Sequence, residues 1–576
     1  MQFPIQLGQN LRTKESLCLP LESFNTHYHF IGATGSGKTT AMETVLQCLL
    51  NDGVDDRSFF IVDPLGGFAT RLLRYIADER YCSDSVRERL VYFEPANTDY
   101  TTTIQTLDYS SRPNQDYQVA RAMELLMRGF DTQDLQSMPR LRRFLYQAVF
   151  DISQLGLPLS IAQYLLQPRT DENNYLFACL PERSRAVWND VLKTQGNKAL
   201  DYLDSTRSRV SILNDFVLLQ RMFSSTTNLL DIPRFMKEGR IVIVNLSPGK
   251  KEVPFQVADT IGSVIINEVF NHALTQYYSS GQPTNTFLVL DEFHRFLGPD
   301  IYDFLPIVRN LGLKLMLANQ SYSQLEKGEI DLRPMIAQAR SRLMFANDLE
   351  DANILAEEIA NFHWDPKEIK HQLEVRRQLL KDHETMILHG GSASRSETKT
   401  NTNQYKQGHG ESASFAPLEY PHTRNTSKQQ SIANVTGGSN ATAYADSWRE
   451  QLVPVYDEFT EVTGVQFTNK DEVVAHWRKK ISESTEGRCY LKLVNDSEFY
   501  HVDVDYLPLE QNNKLDEAVN KLIEENYQNG PFISAAQADQ DFEKIRQQLV
   551  SREFNLDPNT SSAKRLEDQH GKMFDH

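Results

Sequence analysis

The feature that most constrains the fold of this chain is a glycine-rich motif near its beginning. Residues 32–39 read GATGSGKT and match the pattern G-x-x-x-x-G-K-[ST] in full. The pattern requires a strand before it and a helix after it, and residues 29–31 and 40–50 suit these elements. Backbone N–H groups of such a loop can surround phosphates, and the helix N-terminus adds a positive dipole end. The motif therefore predicts a nucleotide site rather than a chance glycine-rich turn.

The motif also assigns roles to single residues. Lys38 would contact the β and γ phosphates, and Thr39 would hold Mg²⁺. The other residues expected to surround the phosphates are Gly32, Thr34, Gly35, Ser36, Gly37 and Thr40. The expected bound species are ATP and Mg²⁺.

Further short apolar runs, each bounded by turn residues, are typical of buried parallel strands. They are residues 59–62, 90–93, 241–246, 287–290, 313–318 and 343–346. Helical patterns follow most of them. Together with the glycine-rich motif, this order predicts a P-loop NTPase core of the α/β class, with a doubly wound, mainly parallel sheet.

An acidic pair follows one of these runs directly. Asp291 and Glu292 come after residues 287–290, where a second carboxylate for Mg²⁺ would be needed. Asp291 would bind Mg²⁺ through water, and Glu292 would polarise the attacking water. The alternative is an acidic cap on a helix after the strand, which the presence of the glycine-rich motif makes the weaker interpretation.

Two more polar residues end predicted strands. Gln320 follows residues 313–318 and could sense the γ-phosphate or orient water, although ordinary capping would also place it there. Asp63 follows residues 59–62 and either borders the nucleotide or caps the turn. Arg140, Arg142 and Arg143 could contact DNA, but a solvated helix face explains them better.

Composition along the chain predicts the domain organisation. We expect the ATPase core in two halves, 1–112 and 233–388, around an all-helical insertion, 113–232, in which strand patterns vanish. The Ser-, Thr- and Asn-rich stretch 389–447 is predicted to be a disordered linker, because it has too little apolar area to offset its ordering entropy. A small α/β return segment, 448–510, and a helical, partly loose tail, 511–576, would follow.

Charge and cysteine content exclude several classes of protein. Sixty Lys and Arg against 77 Asp and Glu give a net charge of −17, so any nucleic-acid surface must be local, such as a pore. Five scattered cysteines without a C-x-x-C pair argue against a disulfide framework or a zinc knuckle. No apolar run is long enough to span a bilayer, and the expected location is the cytoplasm.

The order of the motifs resembles the HerA/FtsK superfamily of ring-forming DNA motors, and within it the type IV secretion coupling proteins of the TraD/TraG class. The stretches that carry the resemblance are HFIGATGSGKTT at 29–40, FFIVDPLGG at 59–67, FLVLDEFHRF at 287–296 and RNLGLKLMLANQSYSQL at 309–325. They lie within a similarity that covers roughly residues 20–387. The resemblance implies a RecA-like P-loop NTPase core and a hexameric ATPase that translocates DNA by non-specific contact with its backbone.

The resemblance also implies site residues by position. Lys38 and Thr39 match the Walker A pair, Asp291 and Glu292 the Walker B pair, and Gln320 the glutamine motif. Arg309, in the RxxG segment 309–312, matches the arginine that the family offers across a subunit interface. Spacing alone would make Arg309 a solvated helix residue, so its assignment as a catalytic finger rests on the resemblance.

The chain departs from the coupling proteins in two places. Their N-terminal membrane anchor has no counterpart here, so no direct membrane insertion is expected, and Gln105-Thr106-Leu107 stands where the family has Asn-Pro-Leu. A relaxase or a secretion channel would be the partner in conjugation. A nuclease or another effector would be the partner of a HerA-like pump in DNA processing or phage defence. A nucleotide-gated switch that does not move DNA is a third possibility, which Glu292 argues against.

Overall fold

The computed structural model describes residues 5–105, 107, 115–128, 139–195, 198–248, 253–296, 307–327, 330–336, 339–396, 441–494, 496, 498–510 and 512–551. The chain divides into two compact units. The first unit comprises Met1–Phe362 and Val474–His576, and the second comprises His363–Val473.

The strands are numbered here in chain order. They are β1 (Ile5–Asn10), β2 (Ser16–Leu19), β3 (Tyr28–Ile31), β4 (Ser58–Asp63), β5 (Leu90–Phe93), β6 (Tyr100–Thr101), β7 (Ile241–Asn245), β8 (Thr286–Leu290), β9 (Leu313–Asn319), β10 (Glu326–Lys327), β11 (Ile330–Asp331), β12 (Ser341–Met344), β13 (Ile369–Ser396), β14 (Ala441–Phe467), β15 (Arg488–Lys492), β16 (Phe499–Val504) and β17 (Ile533–Ser534).

The α-helices are numbered in the same way. They are α1 (Lys38–Leu50), α2 (Gly67–Ala77), α3 (Asp84–Glu88), α4 (Gln115–Arg128), α5 (Pro139–Leu155), α6 (Ala162–Leu165), α7 (Asp171–Cys179), α8 (Glu182–Gln195), α9 (Lys198–Asp215), α10 (Val217–Phe223), α11 (Ile232–Lys237), α12 (Phe255–Ser280), α13 (Arg333–Ile336), α14 (Leu349–His363), α15 (Lys470–Ser482), α16 (Asn513–Asn529) and α17 (Ala535–Ser551). Short 3₁₀ helices cover Leu21–Thr26, Leu159–Ile161, Phe293–Phe296 and Tyr322–Leu325.

The first unit is built on one sheet in which eleven of the described strands are joined. Their order is β2-β1-β16-β15-β12-β3-β9-β8-β4-β7-β5. The seven strands from β12 to β5 are parallel to one another. The four from β2 to β15 add to the β12 side by antiparallel pairing. The predicted fold class, a doubly wound and mainly parallel α/β core, is confirmed.

The parallel strands are buried on both faces, which explains their nearly continuous apolar sequence. In β4, Phe59 and Ile61 point into one core and Phe60 and Val62 into the other. Helices α1 and α2 cover the first face, and α12 covers the second. This doubly covered sheet holds the carboxyl ends of β3, β4, β8 and β9 at a common edge.

Helices occupy the described residues between β6 and β7, and strands are absent from that part of them. Buried apolar residues of α5, α9 and α10 belong to the same core as α12. This agrees with the helical character expected between 113 and 232. The boundary at residue 112 lies outside the described residues, and the domain limits stay a prediction.

The second unit corrects the predicted linker. Strands β13 and β14 pair antiparallel from Ile369↔Phe467 to Ser396↔Ala441 and form a long ribbon. Both ends of the expected linker, 389–396 and 441–447, are therefore strand, and 397–440 lie outside the described residues. Amino-acid composition indicates how much apolar side-chain area a segment can bury. It does not indicate whether backbone hydrogen bonds join two segments, and such bonds join β13 to β14. The prediction also wrongly assigned 448–467 to the return segment.

The rest of the return segment completes the main sheet. Strands β15 and β16 form a hairpin between β12 and β1. Two helices, α16 and α17, follow, and residues 552–576 of the expected loose tail are outside the described part. No helix among the described residues is both long enough and apolar enough to cross a membrane.

Candidate nucleotide site

The loop between β3 and α1 has the backbone that its glycines allow. Gly35 and Gly37 have φ of +76° and +106°, a region that glycine enters at little cost. A Cβ on Gly37 would lie 2.8 Å from the backbone nitrogen of Gly487. Glycine at position 37 is therefore required both by conformation and by the close approach of a second chain segment.

Two other segments hold this loop in place. The N–H of Ala33 donates to the carbonyl of Ala346 at 2.8 Å, just beyond β12. The N–H of Gly487 donates to the carbonyl of Ser36 at 3.0 Å, just before β15. The loop thus rests between a strand of the parallel sheet and the C-terminal hairpin. The sequence analysis did not identify Gly487, and only its glycine identity ahead of a strand could have hinted at it.

Lys38 lies at the start of α1 with its side chain buried. Its Nζ donates to the carbonyl of Gly32 and, at 3.1 Å, to that of Ala33. Burial lowers the pKa of Lys38, while the carboxylates of Glu292 and Asp291 oppose that shift. The ammonium therefore lies inside the curl of the loop, beside the acidic end of β8.

Three hydroxyl residues flank Lys38, with Ser36 in the loop and Thr39 and Thr40 in the first turn of α1. Thr39 and Thr40 are half-buried on α1. The Oγ of Ser36 is buried and has no hydrogen-bond partner among the described residues. A buried hydroxyl without a partner is costly. The Ser36 hydroxyl therefore has unused hydrogen-bonding capacity in the loop.

Asp291 and Glu292 follow β8 and are both buried. The N–H of Asp291 donates to the carbonyl of Val62 at 3.2 Å, which fixes the acidic pair against the end of β4. Burial, Asp63 and Glu292 raise the pKa of Asp291 to about 7, against the opposing effect of Lys38. Glu292 has a φ of +45°, a conformation that non-glycine residues adopt at a cost and that is concentrated at functional sites.

Gln320 connects the phosphate loop to this acidic pair. The Oγ1 of Thr34 donates to Gln320 Oε1 at 3.0 Å, and Gln320 Nε2 donates to Glu292 Oε1 at 2.7 Å. The backbone N–H of Gln320 is fixed by Gln324 Oε1 at 3.0 Å. The structure therefore brings together three residues that the sequence singled out, in one hydrogen-bonded line across the loop.

Asp63 has the capping role, and it also lies near the site. Its two carboxylate oxygens accept the N–H groups of Leu65 at 2.9 Å and Ala69 at 2.8 Å. These bonds hold the turn from β4 into α2. Its charge also raises the pKa of Asp291, so Asp63 adds to the negative potential behind Lys38.

Glu43 is a site residue that the sequence analysis missed. It lies one helical turn after Thr39, is buried, and pairs with Arg71 of α2 at 2.6 Å. Its Oε1 has no hydrogen-bond partner among the described residues. Burial raises its pKa to about 8, and the charges of Asp291 and Asp63 add to the effect of burial. A single glutamate within a helix gave no signal of this, because most such residues face solvent.

The histidines near the site are neutral. His29 Nε2 donates to Asn319 Oδ1 at 2.6 Å and ties β3 to β9. Burial lowers the pKa of His29 to about 3. His294 Nδ1 lies 3.3 Å from Glu292 Oε2, and burial lowers the pKa of His294 to about 4. Neither ring supplies a cation near neutral pH.

Arg309 lies apart from the other predicted site residues. It is exposed and precedes β9, close enough to His27, before β3, for its charge to lower the pKa of that ring. Both residues are at the amino edge of the parallel strands, whereas the phosphate loop is at the carboxyl edge. The length of β9 puts these edges about 20 Å apart. Arg309 therefore does not reach the nucleotide loop of its own chain.

The side chains around the loop fit a magnesium-bound nucleotide. Three buried acidic residues at strand ends, Asp63, Asp291 and Glu292, lie near Lys38, and a fourth, Glu43, pairs with Arg71. Oxygen ligands suit a hard divalent ion, and the loop offers N–H groups and the Ser36 hydroxyl for phosphate. Thr39 and Asp291 are the residues that would hold the metal.

Comparison with protein families gives two matches in chain order. Residues 5–269 match the family described as "Helicase HerA, central domain". Residues 285–408 match the family described as "TraM recognition site of TraD and TraG". A search of curated proteins finds no match. The two matches include the phosphate loop, β4, β8 and β9, whereas Gly487 lies outside both.

Solved structures show similarity at low sequence identity. The unbound form of the bacterial conjugative coupling protein TrwBdeltaN70 is 12% identical, with a TM-score of 0.46 over 86% of this chain and 89% of that one. The plasmid coupling protein TrwB in complex with ADP and Mg²⁺ is 12% identical, with a TM-score of 0.45 over 86% and 90%. VirB4 of Thermoanaerobacter pseudethanolicus is 10% identical, with a TM-score of 0.42 over 88% and 97%.

Proposed function

We propose that this chain, which matches the HerA central-domain family over residues 5–269 and the TraD and TraG family over residues 285–408, is an ATP-driven DNA translocase. It would hydrolyse ATP in the cytoplasm as a ring of identical subunits, with six as the expected number. The movement of pore loops would push DNA by contact with the phosphate backbone.

The observation that carries this proposal is the hydrogen-bonded line from Thr34 through Gln320 to Glu292. Thr34 lies at the tip of the phosphate loop, and Glu292 is the carboxylate that would polarise water. A side chain that touches both can transmit the presence of a γ-phosphate to the hydrolytic group. A switch that only binds nucleotide gains nothing from a hydrolytic carboxylate at the end of this connection, so the presence of Glu292 there favours hydrolysis.

Each site residue has a distinct part in the proposed reaction. Lys38 would leave its contacts with the carbonyls of Gly32 and Ala33 and stabilise the β and γ phosphates. Glu292 would take the proton of the attacking water, and Gln320 would orient that water. When bound by Thr39 and Asp291, Mg²⁺ would neutralise charge on the phosphates.

The position of Arg309 supports a shared site. It is exposed at the opposite edge of the sheet from Lys38, so it is available to a neighbouring subunit and not to its own nucleotide. A positive charge supplied in trans would stabilise the transferring phosphoryl group. A ring with ATP between subunits is the assembly in which every copy can give and receive this residue.

The two family matches support two biological settings. The match to the TraD and TraG family favours the transfer of DNA to a conjugation channel, with a relaxase or channel protein as partner. The match to the HerA central domain favours a second candidate, a pump that works with a nuclease or effector in DNA processing or defence. The motor is common to both.

The decisive experiment is ATP turnover by the full chain with and without DNA. We expect DNA to raise the rate, and salt to weaken DNA binding steeply because backbone contacts release counterions. A triplex-displacement assay then measures movement. Glu292→Gln serves as the control that should bind ATP and DNA without turning over. ATP binding without DNA-stimulated turnover would reject the motor and leave the nucleotide-gated switch.

A further inference from the structure

The long ribbon of the second unit has two open edges. Strands β13 and β14 pair only with each other among the described residues. They extend over Ile369–Ser396 and Ala441–Phe467, which corresponds to roughly 90 Å at ~3.3 Å per residue. Two-stranded ribbons are at best marginally stable alone in water, and open edges readily accept further strands. A ribbon of this length is therefore expected to have a partner.

Apolar side chains are exposed on both faces of the ribbon. Leu379 and Phe459 are on one face, and Leu380 and its direct partner Tyr456 are on the other. Leu379 is 64% exposed, and the other three are 44–49% exposed. Most neighbouring cross-strand pairs combine one apolar with one polar residue, as in Leu379↔Asp457 and Arg377↔Phe459. Neither face is uniformly apolar, so burial against one flat hydrophobic surface does not fit.

The two edges carry opposite charge in the middle of the ribbon. Residues 376–381 of β13 read RRQLLK, with three cations and no acid. Residues 457–461 of β14 read DEFTE, with three acids and no cation. Within the ribbon, Arg377 pairs with Glu461 at 2.7 Å and Lys381 with Asp457 at 3.1 Å.

These two ion pairs lie on one face of the ribbon. On its other face, one cation and one carboxylate have no ion pair within the described part of the chain. Arg376 forms none with any described residue, and Glu458 accepts only the amide of Gln378, at 3.1 Å. The ribbon therefore presents an unpaired cation near its β13 edge and an unpaired carboxylate near its β14 edge. Opposite charges on adjacent strands favour pairing, and like charges oppose it.

We propose that the basic β13 edge of one ribbon pairs with the acidic β14 edge of the ribbon in the next copy of this chain. Repeated around a ring, this contact joins the ribbons into one closed sheet in which the strands alternate in direction. Closure removes the open edges, and the charges specify which edge meets which.

The charge pattern also selects this arrangement over a two-fold dimer. A symmetric dimer would place β13 against β13 or β14 against β14, and each choice brings three like charges together. A head-to-tail contact brings unlike edges together at every interface. The inference rests on the ring of the proposed function and adds to it by naming a surface that joins the subunits.

The test uses full-length variants with reversed charges, weighed by native mass spectrometry with a non-hydrolysable ATP analogue and DNA. One variant replaces Arg376, Arg377 and Lys381 by Glu, so that both edges are acidic. A second replaces Asp457, Glu458 and Glu461 by Lys, so that both are basic. We expect each alone to lose the assembled state of the parent, with at least a tenfold rise in the concentration needed for assembly.

Two combinations should restore assembly. A 1:1 mixture of the variants allows acidic and basic ribbons to alternate around an even-numbered ring, and a chain with all six reversals regains one edge of each sign. The matched control reverses Arg478, Lys479 and Lys480, three exposed cations of α15, and should assemble like the parent. Circular dichroism shows whether each variant is folded.

The outcomes separate this inference from the proposed function. If the parent forms a ring and both reversed variants form it at the same concentration, the ribbon inference is overturned and the motor stands. The inference is likewise rejected if neither the mixture nor the six-fold reversal recovers assembly. If the parent itself never assembles with nucleotide and DNA, the ring and the ribbon contact are both rejected. Whether the chain hydrolyses ATP is then decided separately, by the turnover assay.

Discussion

Gln320 Nε2 donates to Glu292 Oε1 at 2.7 Å, and this contact joins the ends of two neighbouring strands, β9 and β8, beside the phosphate loop. The amide also accepts the hydroxyl of Thr34 at 3.0 Å. Nucleotide entering the loop must change the surroundings of Thr34, so the amide is placed to couple nucleotide binding to the position of Glu292.

Gln320→Ala should lower ATP turnover by a factor on the order of 10², a typical effect of losing one preorganised polar group. ATP affinity should stay within a few-fold, because Gln320 is not expected to contribute much to ground-state binding. Turnover and nucleotide titration measure the two effects. Combined with Glu292→Gln, the loss should be less than the product of the single losses, since residues acting as a unit are not additive. Independent, multiplicative losses would contradict the coupling.

Lys38→Ala should abolish measurable turnover and leave the fold intact, because the ammonium stabilises the transferring phosphoryl group. Its two partners in the structure are backbone carbonyls on the loop, which can turn to water when the side chain is removed. The rate is compared with that of Lys479→Ala, a change to an exposed lysine. A near-parental rate for Lys38→Ala would show that the loop is not the hydrolytic site.

Arg309→Ala should reduce turnover by a factor on the order of 10³–10⁵ while ATP still binds. Mixing it with Lys38→Ala, after subunit exchange is verified, should restore measurable hydrolysis, because some interfaces then pair an intact Lys38 with an intact Arg309. The exposed position of Arg309 at the far edge of the sheet is the reason to expect rescue. Failure of rescue in verified mixed rings would remove the assignment in trans.

Glu43 should make the stability of the nucleotide-free protein depend on pH. Burial raises its pKa to about 8 from an ordinary value of 4.5, and the partly exposed Arg71 is too well solvated to reverse this. The folded state thus binds a proton that the unfolded state releases between these values. This contribution to stability is complete below pH 4.5 and is lost as the pH rises through about 8.

Glu43→Gln keeps the shape and removes the titration. The melting temperature of the parent should therefore fall more between pH 6 and pH 9 than that of Glu43→Gln, as measured by calorimetry without nucleotide. Glu524→Gln, a change to an exposed helix carboxylate, should retain the parental pH dependence. Parallel curves for the parent and Glu43→Gln would show that Glu43 is ionised in the folded protein.

Asn526 of α16 protects the outer edge of the main sheet. Its Oδ1 accepts the N–H of Tyr92 at 2.9 Å and its Nδ2 donates to the carbonyl of Tyr92 at 2.8 Å, as a neighbouring strand would. Asn526→Ala leaves both buried groups without these partners and should lower the free energy of unfolding by about 1–3 kcal/mol. Urea denaturation measures this. Asn529→Ala, on an exposed position of the same helix, should change it little.

The parts of the fold that were predictable are those whose sequence has a single physical explanation. A run such as Phe287–Leu290 can be satisfied only by burial on both faces, and the glycine-rich loop has few other uses. The strand pattern located Asp291, Glu292 and Gln320 at strand ends, and the glycine-rich motif located Lys38 at the start of the following helix. The structure places all four at one edge of the sheet.

The parts that were missed depend on partners distant in sequence. Gly487 is an ordinary turn glycine until the main sheet brings it to within hydrogen-bond distance of Ser36. Glu43 resembles any helix glutamate until the fold buries it beside Arg71 of α2 and near Asp63 and Asp291. In the ribbon, apolar residues face charged ones, so neither strand alone shows the alternation expected of a sheet with one buried face.

The hairpin of β15 and β16 is synthesised late, although it pairs with a strand from the beginning of the chain. Among the described strands, β1 pairs only with β2 and β16. The phosphate loop accepts a hydrogen bond from the N–H of Gly487 at the carbonyl of Ser36. About 480 residues separate β2 from β16, so at ~5–20 residues per second the ribosome needs roughly 25–100 s to supply the missing strand. Throughout that interval the emerging N-terminal strands have an unpaired edge and the nucleotide loop lacks one support. Chains that stop within the ribbon would therefore contain every Walker residue, while their phosphate loop would still lack its contact with Gly487.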